Sequence, residues 1–204
     1  MKKVIFATLV SLLLLTGNAF AALLYSPVTN HSYARIDGSL TWTQAQLAAA
    51  AYDPAHNSYL AVITSQEENA WIWNNLGGSA LNQYWIGGSQ VADPSDPTNT
   101  EAGWSWVTGE TWSYANWDTV EANDWPGSNV SPHVEQGIEN YLQFSQPNGS
   151  VGNLGLGTWN DEDNGYFPGY VVESLATPEP ASMALLGFGL LGVIGTSFRK
   201  RFAA

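Results

Sequence analysis

The chain has 204 residues, 45% of them hydrophobic, and a formal net charge of −12. That length supports one domain with a real core, and the negative charge argues against nucleic acid or an anionic lipid surface as a partner, because both would be repelled. Cysteine is absent, so disulfides contribute nothing and packing, helped by any bound metal, must hold the fold.

The two ends read as addresses. Lys2 and Lys3 give a charged start, residues 4–15 are mostly apolar, and Ala19-Phe20-Ala21 is a small-x-small cleavage site. Residues 1–21 are therefore expected to be a secretory signal peptide, with the mature chain starting at or near Ala22. At the other end, Thr177-Pro178-Glu179-Pro180 precedes an uncharged run over residues 181–198, closed by Arg199-Lys200-Arg201. A helix over that run would be roughly 27 Å long, enough to cross the hydrocarbon core. Gly187, Gly189, Gly192 and Gly195 suit a membrane helix, and the basic cluster should stay in the cytoplasm. The working domain is residues 22–176. Five of the six Lys and Arg residues lie in the two ends, leaving Arg35 to oppose every acid except Glu179. Such a domain attracts a cation with a taste for hard oxygen ligands, such as Ca²⁺.

Within the domain, helical signals come first. Thr41-Trp42-Thr43-Gln44 is a capping box, and residues 44–52 are Ala-rich and stopped by Asp53-Pro54. An apolar run of strand length covers residues 59–63. Ser65-Gln66-Glu67-Glu68 is a second capping box, opening a helix over residues 66–75. Its inward face is expected to carry Ala70, Trp71 and Trp73, and Gly77-Gly78 should end it. Strands are then expected over residues 84–88, 104–107, 140–144 and 170–173, with loops at 92–102 and 149–157. No regular element is expected between residues 113 and 139. Two helices followed by short strands and long loops make an α+β pattern. Nine of the Trp residues cluster: Trp71, Trp73, Trp85, Trp104, Trp106, Trp112, Trp117, Trp125 and Trp159. Most should be core, and some could stack on sugar rings. His31, His56 and His133 have no metal-ligand spacing and are expected at the surface.

Two resemblances add to this. The Pro178-Glu179-Pro180 tripeptide, apolar helix and basic tail resemble the PEP-CTERM sorting signal of Gram-negative bacteria. That resemblance implies recognition by an exosortase, a membrane stage through the C-terminal helix, removal of the tail, and delivery to the cell surface or matrix. From Tyr33 to Glu173 the order of features resembles the C-type lectin-like fold. The carriers are Leu40-Thr41-Trp42-Thr43-Gln44-Ala45; Leu60-Ala61-Val62-Ile63-Thr64-Ser65 with Glu67-Glu68; Trp85-Ile86-Gly87-Gly88; Trp112-Ser113-Tyr114-Ala115-Asn116-Trp117; and Trp159-Asn160-Asp161. The fold so implied brings residues 24–27 or their neighbours against the last strand.

In sugar-binding members of that family one Ca²⁺ at the long loop takes two vicinal sugar hydroxyls. Carried over by residue, the resemblance implies Glu121 and Asn123 for the Glu-Pro-Asn motif, Glu139 for the acid before the next strand, and Asn160 and Asp161 from Trp-Asn-Asp. Glu121, Asn123, Asn160 and Asp161 would also meet the sugar, and the motif leans towards the mannose type. This chain departs from the pattern in three places. Ala122 stands where the family has a proline behind a cis peptide, which leaves cis and trans solutions open. The loop from Asn123 to Glu139 is longer and carries Pro126, Gly127 and Pro132, so Glu135 or Asp124 could replace Glu139. The family's cysteines are missing, with Tyr141 where one is expected. The implied function is calcium-dependent binding of carbohydrate or exopolysaccharide; the alternative is a metal-free adhesive protein with a protein or matrix partner. Catalysis is not expected: no Gly-x-Ser-x-Gly, His-Glu-x-x-His or phosphate loop is present.

Overall fold

The computed structural model describes residues 21–91, 99–119, 121–125, 137–146 and 157–175. The expected signal peptide up to Phe20, the expected sorting tail with Pro178, Glu179 and Pro180, and the expected spanning helix lie outside the described residues. Among the described residues, no helix is long and apolar enough to cross a membrane.

Among the described residues, two helices and eight strands occur in this order: β1 Leu24–Tyr25, β2 Ser32–Leu40, α1 Trp42–Ala50, β3 Tyr59–Leu60, α2 Gln66–Leu76, β4 Tyr84–Gln90, β5 Trp104–Trp106, β6 Tyr141–Phe144, β7 Trp159–Glu162 and β8 Phe167–Ser174. They form one sheet in the order β1-β2-β8-β4-β6-β7, with β3 beside β8 and β5 beside β4. The pairings are antiparallel except that between β4 and β8.

α1 starts two residues earlier than predicted because Thr41 is its cap. Gln44 donates its backbone N–H to Thr41 Oγ1 at 3.3 Å, and Gln44 Oε1 accepts from the Thr41 N–H at 3.1 Å. The box at α2 is only half made. Ser65 Oγ accepts from the Glu68 N–H at 3.2 Å, but the Glu68 carboxylate goes to Thr64 N–H at 2.8 Å and to the Tyr33 hydroxyl at 2.7 Å. The buried face of α2 is Glu68, Asn69, Ile72 and Trp73, while Ala70 is exposed. Glu68 and Asn69 thus join the inward face, which was expected to carry Ala70, Trp71 and Trp73, because each makes a hydrogen bond to a neighbouring element.

β2 is absent from the sequence reading. Its run Ser-Tyr-Ala-Arg-Ile-Asp-Gly-Ser-Leu has no clean alternation, and only Ser32, Tyr33 and Ala34 are fully buried. It forms because β8 gives it a partner: Tyr33 pairs with Glu173 and Ala34 with Val172. The ends of the domain do meet, but through β2; Leu24 and Tyr25 pair with Tyr33 and Ser32 instead of with β8. In β4, Gly87 is required by close approach, since a Cβ there would lie 2.5 Å from the Leu60 carbonyl oxygen.

Two cores result. The smaller lies under α1 and holds Trp42, Ala45, Ala49, Leu60, Trp85, Tyr170 and Val172. The larger contains Ile63, Ile72, Trp73, Ile86, Trp104, Trp106, Leu142, Phe144 and Trp159. Trp125 does not join either: it is 52% exposed.

His31 is half-buried, not a free surface residue. Its Nδ1 lies 2.5 Å from Glu173 Oε1, and Glu173 is 2% exposed. The hydroxyls of Tyr33 and Tyr59 and the Val62 N–H also donate to Glu173. The hydrogen bond to Glu173 raises the His31 pKa above its usual 6.5; burial opposes this, and the charges of Glu173, Glu68 and Glu110 support it. A raised folded pKa means the contribution is fully present below pH 6.5 and is lost as pH rises through the folded value. His31→Gln should therefore cost on the order of 1 kcal/mol near pH 6 and much less near pH 8, given the exposure of the ring. Urea unfolding of both proteins at the two pH values checks this; an equal loss at both would refute it.

Candidate functional site

The site is built where the segment before the long loop runs beside β7. The Asp118 N–H donates to the Trp159 carbonyl at 2.9 Å, and the Trp159 N–H donates to the Asn116 carbonyl at 2.8 Å. Asp118 then ties neighbouring strands: its Oδ2 accepts from Ser145 Oγ at 2.6 Å and from Thr158 Oγ1 at 3.3 Å. The Glu121 N–H returns to the Asp118 carbonyl at 3.1 Å. The Glu121–Ala122 peptide is cis, although Ala122 replaces the proline. Ala122 is buried, and its carbonyl accepts from Thr100 Oγ1 at 2.5 Å.

The next three residues turn their amides on the acids. Asn123 and Asp124 donate their N–H groups to the two oxygens of Asp161 at 3.1 and 2.7 Å. Trp125 donates its N–H to Glu139 Oε2, and Asn123 Nδ2 donates to Glu121 Oε2. Asp124 Oδ1 accepts the N–H groups of Ile138 and Glu139 at 2.8 and 2.7 Å. Of the residues singled out in the sequence, Glu121, Asn123, Glu139 and Asp161 thus come together. Asn160 sits next to them on β7, but its Nδ2 donates to the Asp161 carbonyl at 2.6 Å. Glu135 lies outside the described residues. Asp124, an alternative ligand in the sequence, instead has Oδ1 engaged by backbone amides. Asp118 and Thr100 were missed. Neither belongs to a motif, and only Asp118's place three residues before Glu121 could have marked it.

The electrostatics are those of surplus negative charge. Burial pushes the Glu121 carboxyl up to about 8, aided by the charges of Asp161 and Asp118. Glu139 rises to about 9 through burial and the Asp161 charge, with the Trp125 amide opposing. Asp161 and Glu162 are also raised, burial being the first cause in each. The domain's single Lys or Arg, Arg35, is engaged elsewhere, 2.8 Å from Asp37. Asn123 Oδ1 is buried with no hydrogen-bond partner among the described residues. As they stand, the described residues hold no group of three or more His, Cys, Asp or Glu side chains disposed around a metal. Asp161 and Glu139 are turned to backbone amides.

The lectin C-type domain model matches residues 38–163, from the end of β2 through this site. The chain belongs to the C-type lectin domain family. The PEP-CTERM protein-sorting motif matches residues 176–201. This lectin domain is similar in structure to the C-type carbohydrate-recognition domain of cow CD23, solved in the presence of a GlcNAc2Man3 oligosaccharide. The identity is 24%, covering 76% of this chain and 95% of that one, with a TM-score of 0.53. It is also similar to the C-type lectin CEL-I of Cucumaria echinata, at 22% identity, 70% and 89% coverage and a TM-score of 0.52. A Ca2+-dependent type II antifreeze protein in its Ca2+-free form matches at 18% identity, 74% and 96% coverage and a TM-score of 0.50. At these identities the likeness is one of fold. No curated protein matches the chain.

Proposed function

We propose that this exported lectin-domain protein binds carbohydrate, an exopolysaccharide of the cell surface or matrix, through one Ca²⁺ at the long loop. It acts by binding and not by catalysis, and its tail is removed by an exosortase. The observation that carries the reading is the charge of the site. Backbone and side-chain donors of residues 123–125 link Glu121, Glu139 and Asp161, no Lys or Arg lies there among the described residues, and the buried Asn123 Oδ1 has no hydrogen-bond partner among them.

These are the hard oxygen donors that calcium takes at about 2.3–2.6 Å. Glu121, Asn123, Asn160 and Asp161, with Glu139, would hold the ion, and the ion would supply open positions for two vicinal sugar hydroxyls. The chain's own groups do the rest. Carboxylate oxygens accept from the sugar hydroxyls, and the Asn NH₂ groups donate to sugar oxygens. Trp125, half exposed beside Glu139, offers an indole face for the apolar side of a sugar ring.

A binder of the folded state stabilises it by about 2.7 kcal/mol at a hundredfold excess over Kd. Millimolar calcium should therefore raise Tm by several degrees, and EDTA should reverse the rise. Asp161→Asn removes a charged ligand at nearly constant volume and should abolish the shift. Identical melting of the wild type in calcium and in EDTA would overturn the calcium reading.

The metal-free adhesive reading has one observation in its favour. The carboxylates of Asp161 and Glu139 already accept backbone amides, so the loop holds together by its own hydrogen bonds. It becomes the first choice if the wild type ignores calcium.

A further inference from the structure

Asp124 stands between the two segments that carry the acids. It is fully buried and left-handed, with φ 45°. That conformation suits Asp, Asn or Gly and penalises most other side chains. Its backbone N–H donates to Asp161 Oδ2 at 2.7 Å. Its Oδ1 receives the Ile138 and Glu139 N–H groups together. The next residue, Trp125, donates its N–H to the Glu139 carboxylate. One residue is therefore the junction of three lines of contact: to β7 through its amide, to the residues just before β6 through its carboxylate, and to the cis-peptide segment through the chain itself.

We infer that Asp124 is a positioning residue: it fixes the Glu139 backbone relative to Asp161, so that the acids of the loop and of β7 converge. Hydrogen bonds from neutral amides to a carboxylate are among the stronger ones, and burial strengthens them further. With Oδ1 turned to two backbone donors, Asp124 organises the donor set from outside it. Those two bonds and the Trp125 amide are hydrogen bonds that tie residues 138–139 to the 121–125 segment. The inference rests on the calcium reading for its functional meaning, but the tie itself is independent of any ion.

Two variants separate the possibilities. Asp124→Gly keeps the left-handed backbone and removes the acceptor. Asp124→Asn keeps both the backbone and one acceptor oxygen. Amide hydrogen exchange at Ile138 and Glu139, measured without calcium, reads the tie; calorimetric titration with calcium reads the site. Asp124→Gly should speed exchange at both amides at least tenfold and weaken calcium affinity by about 10–100-fold, the usual range for residues that orient metal ligands. Asp124→Asn should keep the protection and most of the affinity. Unchanged protection in Asp124→Gly would overturn the inference. So would an Asp124→Asn protein that keeps protection yet loses calcium as fully as the Gly variant, since that makes Asp124 a ligand. If the wild type binds no calcium, the calcium reading fails, and the exchange result alone still decides the positioning role.

Discussion

Trp159→Ala should cost about 3–5 kcal/mol of stability, the range for emptying a large aromatic from a core. Trp159 is fully buried. Its ring meets those of Trp106 at 5.8 Å, Trp112 at 6.0 Å, Tyr114 at 5.4 Å and Trp117 at 6.2 Å, mostly edge to face. Its indole N–H donates to Asn69 Oδ1 at 2.9 Å, and Asn69 Nδ2 donates to the Gly157 carbonyl at 3.0 Å. The substitution opens a cavity and also strips a buried amide of a donor, which adds about 1–3 kcal/mol where no water replaces it. Domains of this kind have about 5–15 kcal/mol in total. Trp159→Ala is therefore expected near the edge of folding, and Trp159→Phe, which keeps a ring but not the N–H, in between. Because Trp159 opens the strand that carries Asp161, the calcium response should disappear with it. Chemical denaturation reads the series. A loss below about 1 kcal/mol for the alanine variant would mean that the Trp cluster is not the keystone its packing indicates.

What could be read from the chain divides along physical lines. Thr41, Ser65 and the Ala-rich run marked both helices because caps and propensity are local. Residues 84–88 and 104–107 were legible as strands because apolar and aromatic residues recur there at strand spacing. β2 was not, because Ser32 to Leu40 owes its strand to pairing with β8, a contact with residues more than 120 positions away. Glu68 and Asn69 misled for a related reason. Their burial depends on Tyr33, Trp159 and Gly157, which are remote in sequence. At the site, family resemblance singled out Glu121, Asn123, Glu139 and Asp161, which the structure links through hydrogen bonds of residues 123–125. The supports were not: Asp118, Thr100 and the role of Asp124 have no signature, since a carboxylate or hydroxyl that holds a backbone looks like any loop residue. Trp125, one of the nine clustered tryptophans, is half exposed. Composition showed that aromatic residues were plentiful, without showing which would lie beside the acids.

In EDTA the domain should become less stable as pH rises from about 5 to 9, the reverse of a protein whose acids are paired with bases. Glu121 moves from 4.5 up to about 8 and Glu139 from 4.5 up to about 9, each chiefly through burial and then through neighbouring acids. Both folded values are raised. Across that window the folded state therefore binds more protons than the unfolded chain, and stability falls as pH climbs. The contribution is fully present below pH 4.5 and is lost through about 8 and 9. Each pH unit that separates a folded pKa from its unfolded value is worth about 1.4 kcal/mol, and solvent screening of the partly exposed Glu121 reduces the total to a few kcal/mol. Raised Asp161 and Glu162 add in the same direction. Calcium should flatten the slope, because a cation among these oxygens replaces the protons and brings the folded proton count down to that of the unfolded chain. Thermal melts across that range, with calcium and with EDTA, give two curves that should diverge as pH rises. Glu139→Gln removes one of the two groups, so its EDTA curve should be flatter than that of the wild type. Curves that stay parallel at all pH values would mean that the acids at the loop are not neutralised by the ion, whatever else calcium does to the protein.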